Sequence, residues 1–408
     1  MRVLYAVSAW PTQYMSMVPL AWAFQAAAHE VRVLCAASQV APTTRAGLTP
    51  VPVLDGASIE LHNRLHYVRE VREGRWPYPW APLHPVTGVP MCTLDDFNVA
   101  AYQRDLEPAL AARAAAGVDA AVRYARHYDP GLIVHDAGSL EGPLLGRLLG
   151  VPSVAYAWGP VGADLDNRYG VAPRDISHSY ERYGLEPPAP GDFPMLVEPC
   201  PPEVTGRADI GSQPVRYVPY NGTAAVPEWL AAPRRRPRVA VSWSTALTRI
   251  SGPESYRLPS IMRALAALGV EVVVTATPED VAALGTVPDR LRVLEQFPLS
   301  LLLPSCDAVV HHGGAGSTMT AAVAGVPQLA VTFASEQAFN AERIAACGAG
   351  RHLPGHLCDE DRIGAMVTEL LGPDLGSAAE ALRDRLTDRP APAELAESLL
   401  ARAGVPIG

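Results

Sequence analysis

The chain has 408 residues and no lysine, so all 33 of its basic residues are arginine. A Walker A loop needs a lysine ahead of its serine or threonine, and a pyridoxal-phosphate enzyme needs a lysine amine for its Schiff base. The missing lysine therefore excludes both classes. The formal net charge of −9 argues against nucleic acid as a partner, because contact with a phosphate backbone requires a basic surface.

Cysteine pairs, long apolar runs and metal motifs are scarce as well. The six cysteines form no Cys-x-x-Cys pair, which favours free thiols in a reducing compartment. No apolar run reaches the roughly 18 residues of a membrane span, and residues 1–7 resemble a strand rather than a signal peptide. Asp164-Leu165-Asp166 has the form of a metal motif but lies in a loop, not at a strand end. We therefore expect a cytoplasmic protein without a metal.

Two series of alternating strands and helices divide the chain, and the pattern restarts at Arg238 after a proline-rich stretch. The predicted strands are 1–7, 31–35, 131–135, 153–157, 239–242, 270–275, 291–294, 308–311 and 328–332; the predicted helices are 19–28, 140–149 and 259–268, with helix-like sequence at 96–127. Such series predict an α/β protein with two Rossmann-like domains facing each other across a cleft. The expected boundaries are 1–215 for the first domain, 216–237 for a linker, 238–390 for the second domain and 391–408 for a C-terminal helix packed on the first domain.

A glycine-rich turn is the most informative segment. It follows a strand predicted at Leu301–Val310, broken at Pro304, and precedes a helix predicted at Ser317–Ala324; its sequence is His311-His312-Gly313-Gly314-Ala315-Gly316-Ser317. Such a turn leaves backbone N–H groups unpaired at a helix N-terminus, where the helix dipole favours negative charge. The sequence therefore predicts a diphosphate-binding site. Met319 stands where a dinucleotide fingerprint has its third glycine, and a tight turn without a ligand is the alternative.

Several stretches, taken with this turn, resemble a known family. The block from Phe297 to Gly350, which contains the turn and Glu336-Gln337, is similar to the donor-binding half of bacterial GT-B glycosyltransferases that decorate antibiotics. The segments 18–33, 158–160 and 216–230 resemble the deoxysugar transferases of the macrolide and anthracycline branch, the desosaminyltransferase type. The resemblance covers nearly the whole chain and is weakest over residues 43–95.

The resemblance implies an inverting, metal-independent transfer of a deoxysugar from a nucleoside-diphosphate donor, usually dTDP, to a hydroxyl of a polyketide aglycone. No cofactor is implied, because the nucleotide sugar is a substrate. The donor-binding residues implied by the family are Thr245, Phe297, His312, Gly313, Gly314, Gly316, Ser317, Glu336 and Gln337. His312 and the turn would hold the diphosphate, whose developing charge needs donors placed in advance. Helix capping by Glu336 and core packing of Phe297 are the alternatives.

The residue that removes the proton from the acceptor hydroxyl departs from the family pattern. Most members have a histidine in the loop before Val18, and Gln13 takes its place here, although an amide cannot act as a base. Asp136, after the strand predicted at 131–135, is the best substitute, with helix capping or an arginine pair as its alternative. An apolar acceptor pocket is expected, and its candidate residues are Tyr14, Met15, Trp80 and Trp158, with core packing as the alternative.

Two other functions stay open from the sequence. A nucleotide-sugar epimerase of the same fold would need several acids and an arginine around the phosphates, which the second-domain block does not show. A non-catalytic protein that binds a nucleotide or an aglycone is favoured by the missing histidine. An activator protein, used by some members of the family, and a homodimer are further partners that the sequence leaves open.

Overall fold

The computed structural model describes residues 1–55, 58–162, 166–171, 174–189, 193–207, 211–243, 245–277, 280 and 291–404. The described strands form two separate parallel sheets, as the two β-α-β series predict. The strands of the first sheet are β1 Arg2–Ala6, β2 Glu30–Ala36, β3 Pro50–Leu54, β4 Leu132–Asp136, β5 Ser153–Tyr156, β6 Leu196–Glu198 and β7 Gln213–Pro214. Those of the second are β8 Arg238–Ser242, β9 Glu271–Ala276, β10 Leu291–Glu295, β11 Ala308–His311, β12 Gln328–Thr332 and β13 Gly350–Pro354.

Helices cover both sheets, which explains why central strands such as β4 and β12 are buried along their whole length. The helices of the first half of the chain are α1 Pro11–Met15, α2 Val18–Ala26, α3 Val40–Arg45, α4 Ile59–Arg72, α5 Val99–Asp105, α6 Glu107–Tyr128, α7 Glu141–Leu149, α8 Ser179–Arg182 and α9 Pro202–Thr205. Those of the second half are α10 Thr245–Ser251, α11 Leu258–Ala267, α12 Leu299–Leu302, α13 Ala315–Ala324, α14 Ser335–Ala346, α15 Glu360–Leu370, α16 Pro373–Thr387 and α17 Pro392–Arg402. None of the described helices is long and apolar enough to cross a membrane.

The order of the strands in each sheet indicates where a ligand is expected to bind. The first sheet runs β3-β2-β1-β4-β5-β6-β7 and the second β10-β9-β8-β11-β12-β13. The order therefore reverses between β1 and β4, and again between β8 and β11. Ligands of parallel sheets bind beyond the carboxyl ends of the strands at such reversals. Asp136 ends β4 and His311 ends β11, so both candidate sites lie at these positions.

The two halves of the chain pack on each other at a shared apolar cluster. Cys200 and Val204 of the first half are buried there with Met319, Ile344 and Leu382 of the second half. The last helix, α17, returns to the first half and packs on α2, where Leu395 and Leu399 complete the core of the first sheet. The chain therefore crosses between the two halves twice.

Three sequence expectations need correction. The segment 43–95, for which no regular structure is predicted, contains β3 and α4. The strand predicted at Leu301–Val310 is helical in its first part, because Leu303–Ser305 forms a 3₁₀ turn around Pro304 and extended structure starts only at Ala308. The helix predicted from Ser317 starts two residues earlier, at Ala315.

Candidate functional site

The side chain of His311 supports the glycine-rich turn between β11 and α13 through hydrogen bonds. This side chain is fully buried, and its Nε2 donates to Gln328 Oε1 at 2.8 Å. Its Nδ1 accepts from the N–H of Gly313 at 2.9 Å. Burial and the neighbouring His312 lower the pKa of His311 to about 3, although the bond to Gln328 acts in the opposite direction, so the imidazole is neutral. His311 therefore supports the turn and does not face a ligand.

The N-terminus of α13 presents the donor groups predicted for a diphosphate. The N–H groups of Gly314, Ala315, Gly316 and Ser317 make no hydrogen bond within the described part of the chain, as expected at the first turn of a helix. Gly313 is expected from the sequence to offer its N–H to the diphosphate, but this N–H already donates to His311 Nδ1. Its φ of +85° and the Thr332 methyl group, 2.9 Å from where a Cβ would lie, require a glycine here.

His312 lies over this helix terminus. A Cβ at Gly314 would lie 2.7 Å from His312 Nε2, so the imidazole covers the start of α13. Its Nδ1 is buried and has no hydrogen-bond partner in the described structure. Burial lowers the pKa of His312 to about 4, which leaves a neutral ring able to donate one hydrogen bond. His312 is therefore placed to bind an oxygen at the helix N-terminus.

The other candidate donor residues lie on neighbouring elements. Glu336 lies in the first turn of α14 and is half-buried. The pKa of Tyr67 is raised mainly by the burial of Tyr67 and, second, by the negative charge of Glu336. Gln337 turns its Oε1 back to accept the N–H of Phe333 at 2.9 Å. Phe297 is buried in the core of the second sheet, which matches the packing alternative. Thr245 is the first residue of α10, and its side chain lies outside the described residues.

On the first sheet, Asp136 and Gln13 are joined by Ser8. The N–H of Ser8 donates to Asp136 Oδ2 at 2.6 Å, and its hydroxyl donates to Gln13 Oε1 at 2.6 Å. The N–H of Gly138 donates to the other carboxylate oxygen, Oδ1, at 2.9 Å. Asp136 is fully buried, and burial raises its pKa to about 6 even though the bonds from Ser8 and Gly138 act in the opposite direction.

A cavity of about 1040 Å³ opens beside this group at the edge of the first sheet. The residues that line it include Ser8, Gln13, His62, Leu65, Tyr102 and Tyr180. His62 and Leu65 project from one face of α4, so a helix missed by the sequence analysis forms one wall. The lining combines apolar side chains with polar and charged ones such as Arg69, Glu107 and Asp175, a mixture that suits a small-molecule ligand with polar substituents. Gln13 lines the cavity, whereas Asp136 lies behind Ser8.

The four candidate acceptor residues lie away from this cavity. Tyr14 is buried in the core of the first sheet, where its hydroxyl donates to Gln39, and Met15 packs against the same core. Trp158 is buried against Ala315 at the contact between the two halves. Trp80 stacks on Tyr78 with ring centroids 5.4 Å apart and packs against the core of the second sheet.

Two polar residues that the sequence analysis did not select belong to the site. Ser8 follows β1, so the rule that selected Asp136 from the end of β4 could have found it. Asn340 lies inside α14 and is fully buried, and only the tertiary structure shows that it contacts the turn. No group of three histidine, cysteine or acidic residues in the described ranges could hold a metal ion; Asp164 and Leu165 lie outside those ranges.

Two parallel-sheet halves, with a helix N-terminus and a histidine at the switch point of the second sheet, define a protein of the GT-B fold class. Two family models match the sequence: the N-terminal domain of the "Erythromycin biosynthesis protein CIII-like" family over residues 110–244, and its C-terminal domain over residues 259–402. The chain belongs to this family of glycosyltransferases, which confirms the resemblance seen in the sequence.

Individual relatives agree with this assignment over nearly their full length. L-demethylnoviosyl transferase of Streptomyces niveus is 34% identical, with 98% of each chain covered. The 10-deoxymethynolide desosaminyltransferase of Streptomyces venezuelae is 32% identical, with 98% of this chain and 96% of the relative covered. The crystal structure of the glycosyltransferase SnogD from Streptomyces nogalater superimposes with a TM-score of 0.75 at 29% identity and 99% coverage of both chains. The glycosyltransferase VinC in complex with dTDP gives 0.74 at 28% identity, with 99% of this chain and all of VinC covered. The predicted GT-B fold and glycosyltransferase activity are thereby confirmed.

Proposed function

We propose that this glycosyltransferase moves a deoxysugar, with inversion, from a dTDP-sugar to a hydroxyl of a polyketide-type aglycone. The observation that carries the proposal is the contact between α1, which holds Gln13, and α13, whose N-terminus presents unpaired N–H groups. Gln13, which hydrogen-bonds Ser8 of the proposed proton relay, thus lies on a helix that contacts the proposed binding site for the leaving diphosphate. The dTDP complex of VinC and the names of the desosaminyl and noviosyl relatives support this donor class.

The donor would bind with its diphosphate at the N-terminus of α13. His312 and the N–H groups of residues 314–317 stabilise the negative charge that develops on the leaving diphosphate. Glu336 lies at the start of the neighbouring helix α14, where its carboxylate can accept hydrogen bonds from sugar hydroxyls. The aglycone would occupy the cavity lined by Gln13, because its volume of about 1040 Å³ accommodates a polycyclic or macrocyclic molecule.

Asp136 is the base in this proposal, and it acts through Ser8. The acceptor oxygen attacks the anomeric carbon while the bond from that carbon to the diphosphate oxygen breaks on the opposite face. The acceptor proton passes to Ser8 Oγ, and the Ser8 proton passes to the Asp136 carboxylate. The Ser8 hydroxyl donates to Gln13 Oε1 at 2.6 Å before the reaction, so its proton turns from Gln13 to the Asp136 carboxylate, which the same hydroxyl also reaches, as the acceptor proton arrives on Oγ. Gln13 takes no proton itself.

The test is a transfer assay with dTDP-deoxysugars against a panel of macrolide, anthracycline and aromatic polyketide aglycones. We expect a glycoside product and stoichiometric release of dTDP that an aglycone stimulates. The matched control replaces each donor with the UDP form of the same sugar, which should react more slowly. Tight binding of dTDP-sugars with neither release nor product would instead support a non-catalytic binding protein.

A further inference from the structure

Asn340 joins the two halves of the molecule at the diphosphate turn. It lies in α14 and is fully buried. Its Oδ1 accepts the N–H of Val161 at 3.1 Å, and its Nδ2 donates to the carbonyl oxygen of Gly313 at 3.2 Å. Val161 follows β5 in the first half, whereas Gly313 belongs to the turn after β11. One side-chain amide therefore binds the backbone of both halves.

The orientation of this amide is fixed by its partners. A backbone N–H can only donate and a carbonyl oxygen can only accept, so the amide satisfies both Val161 and Gly313 in one orientation alone. The contact around it is tight, because a Cβ at Gly159 would lie 2.8 Å from the Cβ of Ala315. Val161 is itself 2% exposed, so its N–H is shielded from bulk water. Docking of the first half thus determines which way Nδ2 points.

The bond to Gly313 determines where the next N–H points. In a planar trans peptide the C=O and N–H bonds point in opposite directions. Because Asn340 holds the Gly313 oxygen on its own side, the N–H of Gly314 points to the other side. The N–H of Gly313 is already bound to His311 Nδ1. The Gly313–Gly314 peptide would otherwise rotate easily, since glycine has access to most backbone conformations.

We propose that Asn340 is a positioning residue that directs the Gly314 N–H toward the donor diphosphate, and that it does so only while the first half is docked through Val161. This inference rests on the proposed donor site at α13. It makes the acceptor-binding half of the protein a direct contributor to diphosphate recognition, although no side chain of that half needs to contact the phosphates.

The experiment compares dTDP with thymidine, which lacks the diphosphate, by calorimetry on the full chain. In Asn340→Asp, an oxygen replaces Nδ2 and repels the Gly313 carbonyl, which favours rotation of the peptide. Asn340→Ala removes both hydrogen bonds without adding a charge. This second variant tests the same inference if Asn340→Asp does not fold. We expect the preference for dTDP over thymidine to fall by about 10- to 100-fold in both variants, with thymidine affinity unchanged.

Asn221→Asp is the matched control. Asn221 also uses its amide to bridge two elements, since its Oδ1 accepts from the N–H of Ser300 at 3.1 Å and its Nδ2 donates to Thr320 on α13 at 3.3 Å. It does not touch the turn, so this variant should keep the wild-type preference. An unchanged preference in folded Asn340 variants would overturn the inference. A wild-type protein that binds dTDP no more tightly than thymidine would instead contradict the proposed donor site.

Discussion

Asp136 is a carboxyl group that has no contact with water and yet accepts two backbone hydrogen bonds. Burial disfavours its charged form, and the N–H groups of Ser8 and Gly138 favour it. The first effect is larger, and the pKa rises to about 6 from a reference value of 3.8. Below that pH the carboxyl is protonated and cannot accept another proton, whereas above it the group is a competent base.

We therefore predict that kcat/KM for sugar transfer rises with pH and reaches a plateau above about pH 6. Asp136→Asn should reduce turnover by about 10²- to 10⁴-fold and remove this rise, because a general base contributes about that much. The measurement is a pH–rate profile with saturating donor. Asp129→Asn, at an exposed site that pairs with Arg2, is the control and should match the wild type. Near-normal turnover of Asp136→Asn would refute the assignment.

Single residues differ in how well the sequence predicts their position. Asp136 and His311 follow strands, so the topology rule places them at the sheet edges without any structure. Tyr14 is predicted to line the acceptor pocket, but neighbouring residues on a helix point about 100° apart, so Gln13 lines the cavity while Tyr14 faces the core. The link through Ser8 could not be derived, because it depends on hydrogen bonds across three separate segments.

Strand β3 and helix α4 are not predicted from the sequence, and the reasons differ. Pro50 and Pro52 argue against a strand, but β3 lies at the edge of its sheet, where a missing N–H costs little. Helix α4 begins at the Ser58 cap and has no single apolar face. One side lines the cavity through His62 and Leu65, and another places Tyr67 against Ile250 of the second half. A helix with two different buried contacts lacks the regular apolar stripe that identifies most helices.

Helix α17 contributes buried leucines to the core of the first sheet. Leu399 is 1% exposed within the core of the first sheet, so Leu399→Ala should lower the free energy of unfolding by about 2–5 kcal/mol. Glu397→Ala, two residues away on the exposed face of the same helix, should change it by less than about 0.5 kcal/mol. Urea unfolding followed by circular dichroism measures both. Equal effects of the two substitutions would contradict the packing of α17 on the first half.

In the whole molecule, Glu198 lies where the two halves are tied together. It is buried at the end of β6, and its carbonyl oxygen accepts from Arg389 Nη2 at 2.6 Å in the segment that leads to α17. Burial raises the pKa of its carboxyl to about 7, and the N–H of Cys200 and two arginines oppose this shift. The folded protein therefore holds this proton more tightly than the unfolded chain, whose reference pKa is 4.5.

The resulting pH dependence has a definite sign. Stability contributed by the protonated carboxyl is fully present below about pH 4.5 and is lost as the pH rises through about 7, by up to about 3 kcal/mol. Glu198→Gln cannot ionise, so its unfolding free energy relative to the wild type should increase between pH 5 and pH 8 (about the range of both pKa values). Exposed Glu203→Gln is the control and should show no such trend. A difference that stays constant with pH would contradict the prediction.

The restart of the strand-helix pattern at Arg238 was sufficient to predict two parallel sheets, and the motifs identified the family. The way the halves meet was not predictable. Met319 and Leu382 belong to ordinary apolar helix positions, and nothing in their spacing shows that they pack against Cys200 and Val204 rather than within one domain. Contacts of this kind depend on the complementary shapes of the two packed surfaces, and such shapes do not produce a periodic pattern in the sequence.

The return of α17 to the first half also affects how the protein is made and how it can be recombined. During translation, residues 392–402 leave the ribosome after the whole second sheet, so the first core stays open until the second sheet has been made. A chimera that takes its donor-binding half from another member of the family therefore needs two junctions. The second has to lie before Pro392, so that the helix and the core it closes come from the same parent.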